Sequence, residues 1–393
     1  ITPGSTPLYG TKDISITNSN SIKSTGINKG YGIIADNDTS GTSQITLNSG
    51  SIIDMSSVTN AAAGDLVGIY AKNTTVNSAG DITVGENGIA MYAEDSNINL
   101  TGGTINITGD NALAFYLKGM TNFAATSATT VNVSGKGVTI FNLNTNPGAL
   151  FNNQMMINTI GSGTYTLGSI ANGSYYYNDS VTLSGNGAMI SAKNSVVLFD
   201  SAANIGSTGD NNIGIYVDSM YPGPPVVGFT AGIEAENRGV ISLNNSSAGL
   251  YAIGGASAYN NGGTISVGRD STAIYAAGST SNAINNGTRI IGDNSQGIYL
   301  KDGVTADNQG IISSNGVRTV GMYTDNVFNP ILNSNLIDLS GDKSIGIYAT
   351  GPAKTVINNG IVKIGNSSDE NDPGIGIYAT APGDIITNNN VID

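Results

Sequence analysis

A short apolar signature returns on a fixed beat: Gly249-Leu250-Tyr251, Ala273-Ile274-Tyr275, Gly297-Ile298-Tyr299, Gly321-Met322-Tyr323 and Gly346-Ile347-Tyr348, with tyrosines 24, 24, 24 and 25 residues apart. Between them a second motif keeps time, in Asn261-Gly262-Gly263-Thr264-Ile265, Asn285-Asn286-Gly287, Asn308-Gln309-Gly310-Ile311, Asn333-Ser334-Asn335-Leu336 and Asn358-Asn359-Gly360-Ile361. No stretch between these marks has the length or the period of a helix. A unit of strands and turns this short cannot bury its apolar side alone, so it stacks on copies of itself. Parallel stacking predicts an all-β fold, a right-handed parallel β-helix with coils of about 24 residues and protruding loops, the hand following from the preference of parallel crossovers.

The beat extends through most of the 393 residues. Ten of the eighteen tyrosines (70, 92, 116, 216, 251, 275, 299, 323, 348 and 378) occupy the one slot. Ile34, Ile140 and Ile190 read as its substitutes in degenerate coils. Roughly 16 coils at a strand spacing of about 4.8 Å predict one elongated domain over 1–393, a rod on the order of 75 Å long. Irregular coils fall at 141–187, and the spacing leaves extra residues for loop insertions at 56–65, 218–232 and 366–374. The second of these contains Met220-Tyr221-Pro222-Gly223-Pro224-Pro225, and proline cannot donate to a strand ladder.

Composition narrows the chemistry. The 54 glycines sit among plentiful aliphatic residues, which marks a patterned solenoid rather than a disordered tract. Polarity comes from Asn, Ser and Thr, residues that form side-chain ladders when they recur at one position of stacked coils. With 15 basic against 28 acidic residues and no basic run, nucleic acid is not an expected partner. No histidine or cysteine is present to act as base, nucleophile or metal ligand, and no catalytic motif appears, so no enzyme, cofactor or metal is expected. Asp218, Glu234 and Glu236 read as solvated loop charges rather than a hydrolytic pair. Asp36-Asn37-Asp38 and Asp369-Glu370-Asn371-Asp372 read as solvated turns rather than calcium ligands.

The tyrosine slot admits two orientations. Inward, the small residue two positions before makes room for the ring; outward, the rings build an aromatic stripe. Packing is the expected reading, because one slot shared by so many coils usually reflects the core. Recognition is expected at the irregularities instead, with Tyr175, Tyr176, Tyr177, Met220 and Tyr221 as candidate receptor or glycan contacts.

The pattern Asn-Asn-Gly-x-Ile-x-Ile-Gly followed by Ser-x-Gly-Ile-Tyr-Ala, visible in 286–300 and 359–379, resembles the passenger repeats of large fusobacterial type Va autotransporter adhesins, the arginine-inhibitable and galactose-inhibitable types among them. The resemblance implies an adhesin segment on the bacterial cell surface. It implies anchoring through a C-terminal outer-membrane β-barrel of the same polypeptide, with host-cell glycans or glycoprotein receptors and other bacterial surfaces as partners. The chain then reads as one piece of a longer protein. Two other classes fit a β-helix: a polysaccharide-degrading enzyme of tailspike or lyase type, and an inert spacer that holds a distal tip.

Overall fold

The structure is a computed structural model, and it describes residues 8–393 except 25–28, 39–42, 58–61, 63–64, 147–150, 154, 161–162, 164, 172–173, 178–179, 184–186, 352–353 and 368–372. Among the described residues every regular element is a strand, and the fold is a right-handed parallel β-helix. One coil shows the plan. Thr272–Ala277 carries the tyrosine, Asn282–Asn285 follows a corner, Thr288–Ile291 follows the Asn-Gly turn, and Gln296–Lys301 opens the next coil. Each strand pairs in parallel with its counterpart one coil on, so that Tyr275 faces Tyr299, Tyr299 faces Tyr323 and Tyr323 faces Tyr348.

By their contacts the residues form two compact units where the repeat count predicts one domain. The first comprises Ile1–Gly173 with Leu183–Gly185, and the second Ser174–Thr182 with Asn186–Asp393. Among the described residues, strands of three sheets, seven, six and six in number, wrap the first unit, and eight, nine and eight wrap the second. Much of the insertion at 56–65 and the acidic run 369–372 lie outside the described residues.

The core follows from the side chains that each strand turns inward. In the second unit Ile274, Ile298, Met322 and Ile347 stack from the tyrosine-bearing sheet, while Ile241, Ile265, Ile312 and Ile337 stack from the third sheet, all fully buried. The first unit widens its interior with aromatics: Phe115, Phe123 and Phe141 pack with centroids 5.0–5.2 Å apart. Simple alternation fails at one point. The small residue and the aliphatic after it both point inward, because the chain turns a corner there, and only the tyrosine swings out. A Cβ on Gly297 would lie 2.6 Å from the Gly321 carbonyl oxygen and 2.6 Å from Ile312 Cγ2, which explains the demand for a small residue.

The irregular coils keep that phase and change the side chains. Pairing registers place Ile140 opposite Ala114 and Asn142 opposite Tyr116, with Ser169 next to Asn142. In the second unit Ser191 stands opposite Tyr216. Ile140 and Ile190 are therefore core residues and not substitutes for the tyrosine, whereas Ile34 does occupy its slot, opposite Tyr70. Large side chains enter where the corner is normally small, and polar ones face out.

Buried polar ladders hold the coils in register. Asn237, Asn260, Asn285, Asn308, Asn333 and Asn358 are all fully buried at the corner between the second and third sheets of the second unit. Each donates Nδ2–H to the Oδ1 of the next, at 2.8, 3.0, 2.7, 2.8 and 2.7 Å, and Asn358 extends the column to Asn388 at 2.7 Å. Asn285, Asn308, Asn333 and Asn358 are asparagines of the second sequence motif, Asn260 directly precedes the motif's Asn261, and Asn237 carries the column one coil further back. A shorter column of backbone N–H donors and serine hydroxyls links Ser247, Ser271 and Ser295 at 3.0 Å per step. The corner before the tyrosine strand takes a left-handed backbone in successive coils, at Ser246, Asp270, Asn294, Arg318 and Lys343, with φ between 52° and 58°.

One side chain breaks the rule of the core. Arg289 stands between Ile265 and Ile312 in the inward row of the third sheet, is fully buried, and among the described residues has no hydrogen-bond partner for Nε, Nη1 or Nη2. Burial lowers its pKa well below the usual guanidinium value. Its own coil and both neighbours carry alanine at the inward position of the second sheet, Ala258, Ala283 and Ala306, which leaves volume for the long side chain.

Two stability measurements follow. Asn308→Leu removes a donor to Asn333 and an acceptor for Asn285 inside the column, and it should lower unfolding free energy by ~2–4 kcal/mol, while Asn286→Ser on the exposed side of the same turn should change little. Arg289→Ile should raise unfolding free energy by ~1–4 kcal/mol, since a buried charge without a partner is replaced by the residue its neighbours already carry. Chemical denaturation of the three variants checks both expectations.

Candidate receptor-binding surface

The repeated tyrosines lie on the outside, contrary to the packing expectation. Ile274 and Ala276 beside Tyr275 are fully buried while Tyr275 itself is half exposed, and the same contrast holds around Tyr70, Tyr92, Tyr299 and Tyr323. Their rings form a ladder along the sheet. Tyr70, Tyr92 and Tyr116 are stacked nearly parallel at 4.8 and 4.9 Å. In the second unit Tyr216 stacks on Tyr251 at 5.7 Å and Tyr251 on Tyr275 at 4.5 Å, after which the rings tilt through Tyr299, Tyr323, Tyr348 and Tyr378 at 4.6–5.2 Å. Burial raises the phenol pKa of Tyr70, Tyr92, Tyr216, Tyr275 and Tyr348, and that of Tyr299 to about 12. Face-to-face stacking covers ring faces between Tyr70, Tyr92 and Tyr116 and between Tyr216, Tyr251 and Tyr275, while Tyr275 meets Tyr299 edge-on and the later rings are tilted.

A charge column runs beside the first ladder. Asp36, Lys72, Glu94 and Lys118 are consecutive partners across four strands, with Lys118 Nζ 3.1 Å from Glu94 Oε1 and Lys72 Nζ 3.8 Å from Asp36 Oδ1. Asp36 thus belongs to an ion ladder, and Asn37 donates to the Asn73 carbonyl at 3.3 Å. Among the described residues no group of three or more acidic side chains is placed to hold a metal ion.

The candidate contact residues separate. On strand Ser174–Tyr177, Tyr175 and Tyr177 point into the core at 1% and 3% exposure, which removes them from any contact surface. Tyr176 between them points out, 40% exposed, and its hydroxyl donates to the Asp200 carboxylate. That bond, with the Arg238 charge nearby, holds Asp200 below the usual carboxyl range. Met220 is exposed and Tyr221 half exposed, both on the 218–232 insertion.

This insertion is a packed flap rather than a free loop. It lies over the second sheet, where Val196 lines the space beneath it and Leu198, on the same face of the strand, is fully buried. Leu198 is the register partner of both Tyr176 and Glu236, so Tyr176 and the flap share one face of the second unit.

Two carboxylates fasten the flap, and neither is solvated as the sequence reading had it. Glu236 is fully buried; its Oε1 accepts from the Thr230 hydroxyl at 2.9 Å, from Arg238 Nε at 2.8 Å and from Asn261 Nδ2 at 2.8 Å, and its Oε2 accepts from the Thr230 N–H at 3.0 Å. Arg238 closes the ring by donating Nη2–H to the Gly228 carbonyl at 2.9 Å. Glu234 is 3% exposed, accepts from the Ser257 N–H at 2.8 Å and the Tyr221 N–H at 3.4 Å, and has its pKa raised by desolvation. Sequence reasoning missed both roles. The strand partners of Glu236 are Leu198 and Tyr259, and no short-range signal in the sequence marks either carboxylate as buried.

Tyr299→Ser tests the outward ladder. A half-exposed ring that stacks between two others contributes less than a core ring, so the variant should lose ~1–2 kcal/mol of unfolding free energy, read by denaturant titration. A loss of 3 kcal/mol or more would return the tyrosines to the core.

Residues 289–393, about a quarter of the chain, match the family model described as the BigA third pectate lyase-like domain. No curated protein and no solved structure matches the chain. BigA is an autotransporter adhesin-like protein, so the stacked coils with this match at their C-terminal end support an autotransporter passenger-type segment, extracellular and surface-exposed.

Proposed function

We propose that this chain is the adhesive part of an autotransporter passenger, binding host-cell glycans or glycoprotein receptors and other bacterial surfaces, with the flap at 218–232 and Tyr176 as the contact face. The observation that carries the reading is the fastening of the flap. An exposed loop of 15 residues is tied by Glu234 and Glu236 to a stack of coils, while Met220 and Val227 stand out at 47% and 98% exposure. A loop held in one pose loses little entropy on binding, which suits a recognition element on a rigid scaffold. Anchoring through an outer-membrane β-barrel elsewhere in the polypeptide belongs to the same proposal, as does the fusobacterial adhesin type.

A second reading has support in the matched family's description as pectate lyase-like: a polysaccharide-degrading β-helix. Hydrolysis by paired carboxylates needs one to protonate and one to attack or activate water at an open cleft. Glu236 is saturated by four bonds and Glu234 holds backbone N–H groups, which favours binding over catalysis.

Attachment of the purified chain to epithelial cells, to partner bacteria and to a glycan array tests the proposal, with a reducing-sugar release assay alongside. The double variant Met220→Asp with Val227→Asp alters only exposed flap positions and should keep the parent's melting temperature while losing tenfold or more in attachment. Attachment equal to the parent's would move the ligand to another face, and release of reducing sugar would favour the enzyme.

A further inference from the structure

Between the flap and the sheet lies a cleft of ≈ 210 Å³, walled by Val196, Tyr221, Val226 and Phe229, with Glu234 in its lining. Its rim is open to solvent at Met220, Gly223, Pro225, Ala231 and Gly232. The lining is mixed, with the side chains of Val196, Val226 and Phe229 as its apolar part and the Glu234 carboxylate as its charged group. A buried carboxylate is normally neutralised by a cation or saturated by donors. Glu236, two residues along, has Arg238 at 2.8 Å together with Thr230 and Asn261. Among the described residues Glu234 has no basic side chain within ion-pair distance, and its carboxylate is met by backbone N–H groups, those of Ser257 at 2.8 Å and Tyr221 at 3.4 Å and its own, with no countercharge.

We infer that the cleft receives the side chain of a lysine from a partner protein, its ammonium group on Glu234 Oε1 and its alkyl stem between Phe229, Val226 and Tyr221. The geometry distinguishes the two basic side chains. Oε2 already accepts the Ser257 N–H at 2.8 Å, so Oε1 is the less engaged oxygen, and a guanidinium would have to share Oε2 with that N–H to make its parallel pair of bonds. A compact ammonium needs only one free oxygen and an apolar channel for its methylenes. The charge is complementary in a second sense, since the chain carries a net charge of −13 and draws basic partners at long range. For its biological partner the inference rests on the receptor-binding reading; the cleft itself is testable without it.

The test is titration of the chain with N-α-acetyl-lysine amide, followed by calorimetry and by the NMR signals of flap residues. Saturable binding is expected, with binding of the neutral N-ε-acetylated probe and of the arginine counterpart at least tenfold weaker. Glu234→Gln should weaken lysine binding tenfold or more. Because that change also touches the flap's fastening, Ala231→Trp provides a second variant, closing the rim with Glu234 intact and expected to abolish binding at the parent's melting temperature. No saturable binding, equal binding of the neutral or the arginine probe, or binding that survives Ala231→Trp would each overturn the inference. Cell attachment by the parent without lysine binding would overturn the cleft and leave adhesion standing; lysine binding without cell attachment would support the cleft and remove adhesion.

Discussion

The asparagine column is the interaction on which the second unit's arrangement depends. Each amide gives one N–H to the next coil, and several give the other to a carbonyl at the corner, as Asn308 does to Leu336 at 3.2 Å. An amide inside a protein is costly unless its hydrogen-bonding capacity is used, and the column uses it only when every coil is in step. A slip of one residue would carry the inward aliphatics to the outer face and break the column at the same time. Register, burial of the isoleucine rows and the stacking of the tyrosines are thus consequences of one constraint. The tyrosine ladder adds ring contact outside, where the same step between coils brings successive centroids to 4.5–5.7 Å.

The fold was legible because the repeat is: a period of 24 residues with two apolar peaks has few ways to bury itself. The orientation of the tyrosine was not, because strict alternation was assumed through a strand that contains a corner. At that corner Ala273 and Ile274 both face in, and the phase shifts by one just before the ring. The same effect hid the phase of the irregular coils. Matching Ile140 to the tyrosine slot by spacing alone ignores that Phe141 faces Phe115 and fills the core, which leaves Asn142 outside.

The candidate site was legible in its location and not in its chemistry. Excess length and prolines marked 218–232 as an insertion, yet acidic residues beside a loop ordinarily sit in water, and nothing local distinguishes Glu236 from such a charge. What buries it is the flap itself: Thr230 and Arg238 meet the carboxylate only after the chain has folded back over Val196 and Leu198. Burial of this kind depends on a contact between the insertion and a strand that precedes it by more than twenty residues, information that no short window contains. Tyr175, Tyr176 and Tyr177 illustrate the opposite case, since period-two alternation alone assigns the first and third to one face and the second to the other.

A stack that spends its polar side chains on its own ladders has few left for strangers. The buried asparagines and serines bond to their counterparts one coil away, Asp36, Lys72, Glu94 and Lys118 of the first unit line up along the sheet, and the tyrosines contact one another from coil to coil. A partner that approached such a face would have to displace contacts that repeat in every coil, and it would find the same chemistry at each step with nothing to fix its position. The flap differs on both counts. It is an insertion that the neighbouring coils lack, and beneath it lies Glu234, a carboxylate outside the asparagine and serine ladders. Specific recognition by a repetitive scaffold requires a place where the repeat is broken and the break is held rigid, and in this chain the two glutamates under the insertion supply both conditions.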